Sequence, residues 1–90
     1  MSAEVLLDVS ELEPPEPLTL TLEAAARLRP GQYLRMLHRR EPCMLFGNLD
    51  DNHFSYHQRR GTTTAVEVFI WAEDDIEAAR AVQTIIDTAD

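Results

Sequence analysis

Prolines at positions 14, 15 and 17, in the run LEPPEPL, constrain the fold of this 90-residue chain more than any other feature. Each fixes φ near −65°, removes an N–H and restricts the residue before it, so the chain cannot become helical until the last of them. Pro17 itself suits the first turn of a helix, where a missing N–H costs nothing. Ahead of this turn, EVLLDV at residues 4–9 is a short apolar run suited to a buried strand. The chain therefore opens as strand, rigid turn and helix. That helix extends to about Leu28, with Leu18, Leu22, Ala25, Ala26 and Leu28 as its apolar stripe, and Pro30 with Gly31 stops it.

Residues 33–39 alternate as a second strand, with Leu34 and Met36 on one face and Tyr33, Arg35, Leu37 and Arg39 on the other. Glu41-Pro42 opens a short second helix over 42–51 that buries Leu45, Phe46 and Leu49. Residues 53–59 alternate as a third strand. Gly61 and the threonines after it turn the chain into AVEVFIW at 65–71, the clearest strand of all. Glu73, Asp74 and Asp75 then open a last helix, with Ile76, Ala79, Val82, Ile85 and Ile86 as its stripe. The order β-α-β-α-β-β-α predicts an α/β chain of the α+β two-layer sandwich type, with a mixed four-stranded sheet. Residues 1–72 make that domain. Residues 73–90 add a C-terminal helix that packs on the same domain or, in a homodimer, on its partner.

Charge narrows the partners. The net charge is −8, which disfavours general attraction to nucleic acid or to an anionic membrane surface. Residues 1–26 hold six acids and no base, residues 27–60 hold seven arginines against three acids, and residues 61–90 hold seven acids and one arginine. No apolar run reaches the roughly 20 residues of a membrane span, and no basic region precedes an apolar stretch at the start. A single cysteine, Cys43, has no internal disulfide partner, which suits a reducing cytoplasm.

The run LDVSELEPPEPL at residues 7–18 resembles the opening motif of the TusA/SirA-like sulfur carriers: leucine-aspartate, a leucine, then Cys-Pro-x-Pro starting the first helix. Pro15, Glu16 and Pro17 match the Pro-x-Pro, and the element order matches over roughly residues 4–72. The position of the family's reactive cysteine is Pro14 here. This form, with Arg40, Glu41 and Pro42 after the second strand, looks like a branch of that superfamily that is a domain of unknown function, found alone or beside hemerythrin-like domains. The resemblance implies the fold. It implies no persulfide on Pro14, since proline has no nucleophile.

Cys43 follows two arginines at the start of the second helix, an arrangement that lowers a thiol pKa, although a lone cysteine is also a common small core residue. Two parallel opening strands would bring both helix starts to one edge of the sheet. The candidate contact surface is therefore Pro14, Pro15, Glu16, Pro17, His38, Arg40, Glu41 and Cys43. Arg35, Arg39, Arg40, Arg59 and Arg60 either gather into a basic patch for a carboxylate or phosphate, or pair internally with Glu67, Asp50 or Asp51. On a strand, His53 and His57 would share a face with Arg59, roughly 13 Å apart and too far to chelate one ion together. No zinc spacing is present, so no metal or other cofactor is expected. The leading expectation is a non-catalytic module binding a partner protein or small anion at that edge. The alternatives are a persulfide carrier using Cys43 and a metal- or redox-linked sensor using His38 and Cys43.

Overall fold

A computed structural model describes residues 3–13, 15–40, 44–61 and 64–88. Four strands, β1 (Glu4–Asp8), β2 (Tyr33–His38), β3 (Phe54–Arg60) and β4 (Val66–Ala72), form one sheet in the order β1-β2-β4-β3. β1 pairs with β2 in parallel, while β4 pairs antiparallel with both β2 and β3. The sheet is mixed, as the element order predicts. Helices α1 (Glu16–Ala26) and α2 (Leu45–Asp51) cover one face, and α3 (Ile76–Thr88) packs on the other against β2 and β4. Of the two placements expected for the last helix, the chain adopts the one on its own sheet, so a partial third layer lies over the two-layer core.

Strand alternation assigns the faces. Leu34 and Met36 of β2 join Val66, Val68 and Ile70 of β4, with Leu45 and Leu49 of α2, in the main core. Phe54 and Tyr56 of β3 pack against this core, and Phe46 stacks on Tyr56 with ring centroids 4.7 Å apart. The α3 face holds a smaller cluster of Tyr33, Phe69, Ala78 and Val82. In α1 the buried positions are Pro17, Thr21 and Ala25, while Leu18 and Leu22 of the expected stripe lie on its shoulders. Thr21 is tolerated there because its hydroxyl donates to the Pro17 carbonyl at 2.6 Å, leaving no polar group unpaired.

Asp75 ties two turns together. One carboxylate oxygen accepts from the Ala78 N–H at 3.0 Å, capping α3, and the other accepts from the Gly31 N–H at 2.8 Å. Gly31 has φ +84°, a conformation that suits glycine, and a Cβ there would meet the Glu77 carboxylate at 3.2 Å. These backbone donors hold the Asp75 pKa below its ordinary 3.8. A depressed folded-state value means stability that is present above the unfolded pKa and lost as pH falls through the folded one. Asp75→Ala is expected to cost about 1–2 kcal/mol at neutral pH and to remove the part of the acid sensitivity that lies below about pH 3.8. Urea unfolding across that range is the check.

Candidate functional site

Parallel pairing of β1 and β2 sends both strands to the same edge of the sheet, where α1 and α2 begin. The edge is therefore built as expected from strand order. Pro15 is the N-cap residue of α1, Glu16 begins the helix in the open, and Pro17 is buried in its first turn. Pro14, Glu41 and Cys43 lie outside the described residues. Met44, the N-cap residue of α2, is 68% exposed at this edge.

The proline run shapes the donors available there. Pro15 and Pro17 have no N–H, and the Glu16 N–H is spent on the Glu13 carbonyl at 3.1 Å. No side chain caps α1. The start of α1 thus presents its dipole with few free amides, and recognition of an anion falls to side chains.

His38 ends β2 on the α1/α2 face, in register with Val66 of β4, which is in turn in register with Arg60 of β3. Alternation places all three side chains on one face, on the last rung of the sheet. His38 is only 5% exposed, and its Nδ1 has no hydrogen-bond partner among the described residues. Burial first, and then the charges of Arg39 and Arg40, push the His38 pKa below its ordinary 6.5. The imidazole is accordingly neutral at pH 7. Arg39 donates to Glu13 at 3.1 Å across exposed surface, whereas Arg40 and Arg60 make no ion pair among the described residues.

The five arginines do not form one patch. Arg35 and Arg59 point to the opposite, α3 face, where Glu67 is fully buried and holds both. Arg35 Nη2 donates to Glu67 Oε2 at 2.8 Å, and Arg59 Nε donates to Glu67 Oε1 at 3.2 Å. Their guanidiniums lie 5.9 and 4.9 Å from the centroid of the Phe69 ring, and Arg35 also approaches Glu4 at 3.7 Å. The hydrogen bond to Glu67 raises the Arg35 pKa further above its ordinary value. Glu4 accepts from the Tyr33 hydroxyl at 3.0 Å, and burial together with that bond pushes Tyr33 up to about 12. Internal pairing with Glu67 therefore accounts for two of the five; Arg39, bound to Glu13, and the exposed Arg40 and Arg60 lie at or just past the ends of β2 and β3.

The histidines separate as well. His53 precedes β3 in a turn, exposed, with φ +63°, so it does not share a strand face with His57. His57 is on the α3 face, opposite Phe69 in the register. Among the described residues no group of three His, Cys, Asp or Glu side chains is placed to hold a metal ion. A cleft of about 530 Å³ opens at the other edge of the sheet, between Arg29, Gly31, Asp75 and Ile76, which sequence reasoning did not anticipate. Its walls come from two turns far apart in the chain, so no local pattern signals it.

The family model described as "Uncharacterized conserved protein (DUF2249)" matches residues 6–72, three quarters of the chain. The chain belongs to that family. The match starts within β1, takes in the other three strands with α1 and α2, and ends at the last residue of β4. No curated protein and no solved structure matches this DUF2249 domain. The match agrees with the expected family of unknown function and gives no link to the TusA/SirA-like carriers. No helix among the described residues is long and apolar enough to cross a membrane.

Proposed function

We propose that this DUF2249 protein is a small, non-catalytic binding module that engages an anionic group, on a small molecule or a partner protein, at the carboxyl edge of β2 beside the start of α1. The observation that carries this reading is the last rung of the sheet. Arg60 ends there without an ion pair among the described residues, Arg40 lies two residues past the end of β2, and the dipole of α1 starts at the same edge. Guanidiniums without internal partners suit bidentate contacts with carboxylate or phosphate. The resemblance to TusA/SirA-like carriers supports the choice of edge, and Pro14 in place of the thiol supports a role without covalent chemistry.

Titration with sulfate, phosphate and acetate, followed by backbone amide shifts, tests the surface. Shifts clustered at Glu16, Leu18 and residues 38–40, 44–46 and 60–61 are expected. Arg40→Ala should weaken the tightest of these anions about tenfold, the cost of one charge-assisted contact of about 1.5 kcal/mol. Shifts confined to the cleft at residues 28–32 and 72–77, or unchanged affinity in Arg40→Ala, would remove the edge from consideration.

A persulfide carrier using Cys43 is the second reading, favoured by the parallel β1–β2 pairing that starts both helices at one edge. It requires a gain of one sulfur atom in the intact mass after exposure to a persulfide donor, abolished in Cys43→Ser.

A further inference from the structure

His38 is a buried titratable group that the binding surface, described only as a set of cations, does not use. It is 95% buried, yet Nδ1 has no partner among the described residues. A buried polar atom left unpaired is costly and uncommon in native proteins. Its position makes it informative, because the register sets its ring on the helix-covered side of the sheet at the edge where α1 begins.

We infer, resting on the anion-binding reading above, that an oxyanion enters this edge together with a proton on His38, so that occupancy and protonation are one coupled event. The charged groups around the ring support the coupling. Arg39 and Arg40 follow it just past the end of β2, and Arg60 stands two strands away on the same rung. From the α1 side come Glu13, already taken by Arg39, and Glu16, which is exposed. β1 contributes Val9 with Asp8 on the opposite face, β4 contributes Val66 with Glu67 on the opposite face, and α2 starts with Met44 and Leu45. In the empty edge, burial and the two neighbouring arginines oppose a charge on the ring. An oxyanion held by Arg40 and Arg60 offsets the repulsion from the arginines and so favours the imidazolium.

Linkage fixes the sign. The occupied state binds the proton more tightly, so affinity rises as pH falls from the occupied-state midpoint to the free-state midpoint, by up to about tenfold per pH unit. The full chain is titrated with sulfate, whose charge is constant over this range, at about pH 5.5 and about pH 7.5. The expected Kd is at least about fivefold lower at the acidic value. Saturating sulfate should also raise the midpoint of the His38 ring resonances. His38→Gln should flatten the pH profile, whereas His53→Gln and His57→Gln should leave it intact.

A His38 midpoint unmoved by saturating sulfate overturns the coupling even if His38→Gln fails to fold. So does sulfate binding that is equal at both pH values, which would leave the edge as a plain anion surface. Absence of sulfate-dependent shifts at either pH removes the small-anion reading itself and the coupling with it.

Discussion

Glu67→Ala is expected to lower the unfolding free energy by about 3–5 kcal/mol, because it removes the one carboxylate holding two arginines against the α3 face. Glu67 is fully buried in the middle of the sheet, with Arg35 at 2.8 Å and Arg59 at 3.2 Å. In alanine's place both guanidiniums would face an apolar layer with their strongest acceptor gone. Arg35 Nε and Arg59 Nη1 are already buried without a hydrogen-bond partner among the described residues, so no spare acceptor there stands ready to replace Glu67. For a domain of this size the loss corresponds to a midpoint shift of about 15 °C or more. Glu67→Gln keeps the shape and one acceptor, and should fall between alanine and wild type. Chemical denaturation of the three proteins orders them. Equal stability of wild type and Glu67→Ala would show that the triad contributes nothing to the fold. Replacing Arg35, Glu67 and Arg59 together by methionine and leucine should cost far less than Glu67→Ala, since an ion network exchanged as a unit leaves no orphan charge.

Phe69→Ala should be comparably severe, at about 3–5 kcal/mol. The ring is fully buried and serves two neighbourhoods at once. On one side it meets Tyr33 at a centroid distance of 6.0 Å and a tilt of 58°, within the cluster that seats Ala78 and Val82 of α3. On the other it supports the guanidiniums of Arg35 and Arg59. Its removal leaves a cavity under α3 and withdraws an apolar platform from both cations. Amide exchange should therefore accelerate in α3 before it does in β2 or β4, because α3 is held to the sheet largely by this cluster. A uniform change across all elements would mean that α3 and the sheet unfold as one unit. Glu67→Ala and Phe69→Ala should combine less than additively, as they share both arginine partners.

The arginines explain why one part of the site was legible in the sequence and another was not. Alternation in YLRMLH separates Arg35 from Leu34 and Met36, and alternation in FSYHQRR separates Arg59 from Tyr56. Neither pattern says that the two will meet. Their meeting depends on the pairings Arg35↔Phe69 and Arg59↔Glu67, which bring three segments together across β4. Glu67 carried a readable signal, as the single charge within VEVFIW, and its pairing with Arg59 follows from the hairpin. The same logic holds for α1. Helical spacing marks Leu18, Leu22 and Ala25 as the buried stripe, but the packed helix buries Pro17, Thr21 and Ala25 and leaves Leu18 and Leu22 on the flanks.

Strand and helix order and the forced turn before α1 were determined by the sequence itself. Each depends on residues within a few positions of one another: prolines that fix φ, alternation with period two, and an apolar stripe with period 3.6. Only the tertiary structure decided that α3 covers its own sheet, that Arg35 and Arg59 turn away from the candidate edge, and that His38 is buried there with Nδ1 unpaired. Those outcomes depend on strand register and on which surface is left for a helix to cover. Both are set by contacts between segments brought together from different parts of the chain, and the local pattern is compatible with more than one such arrangement.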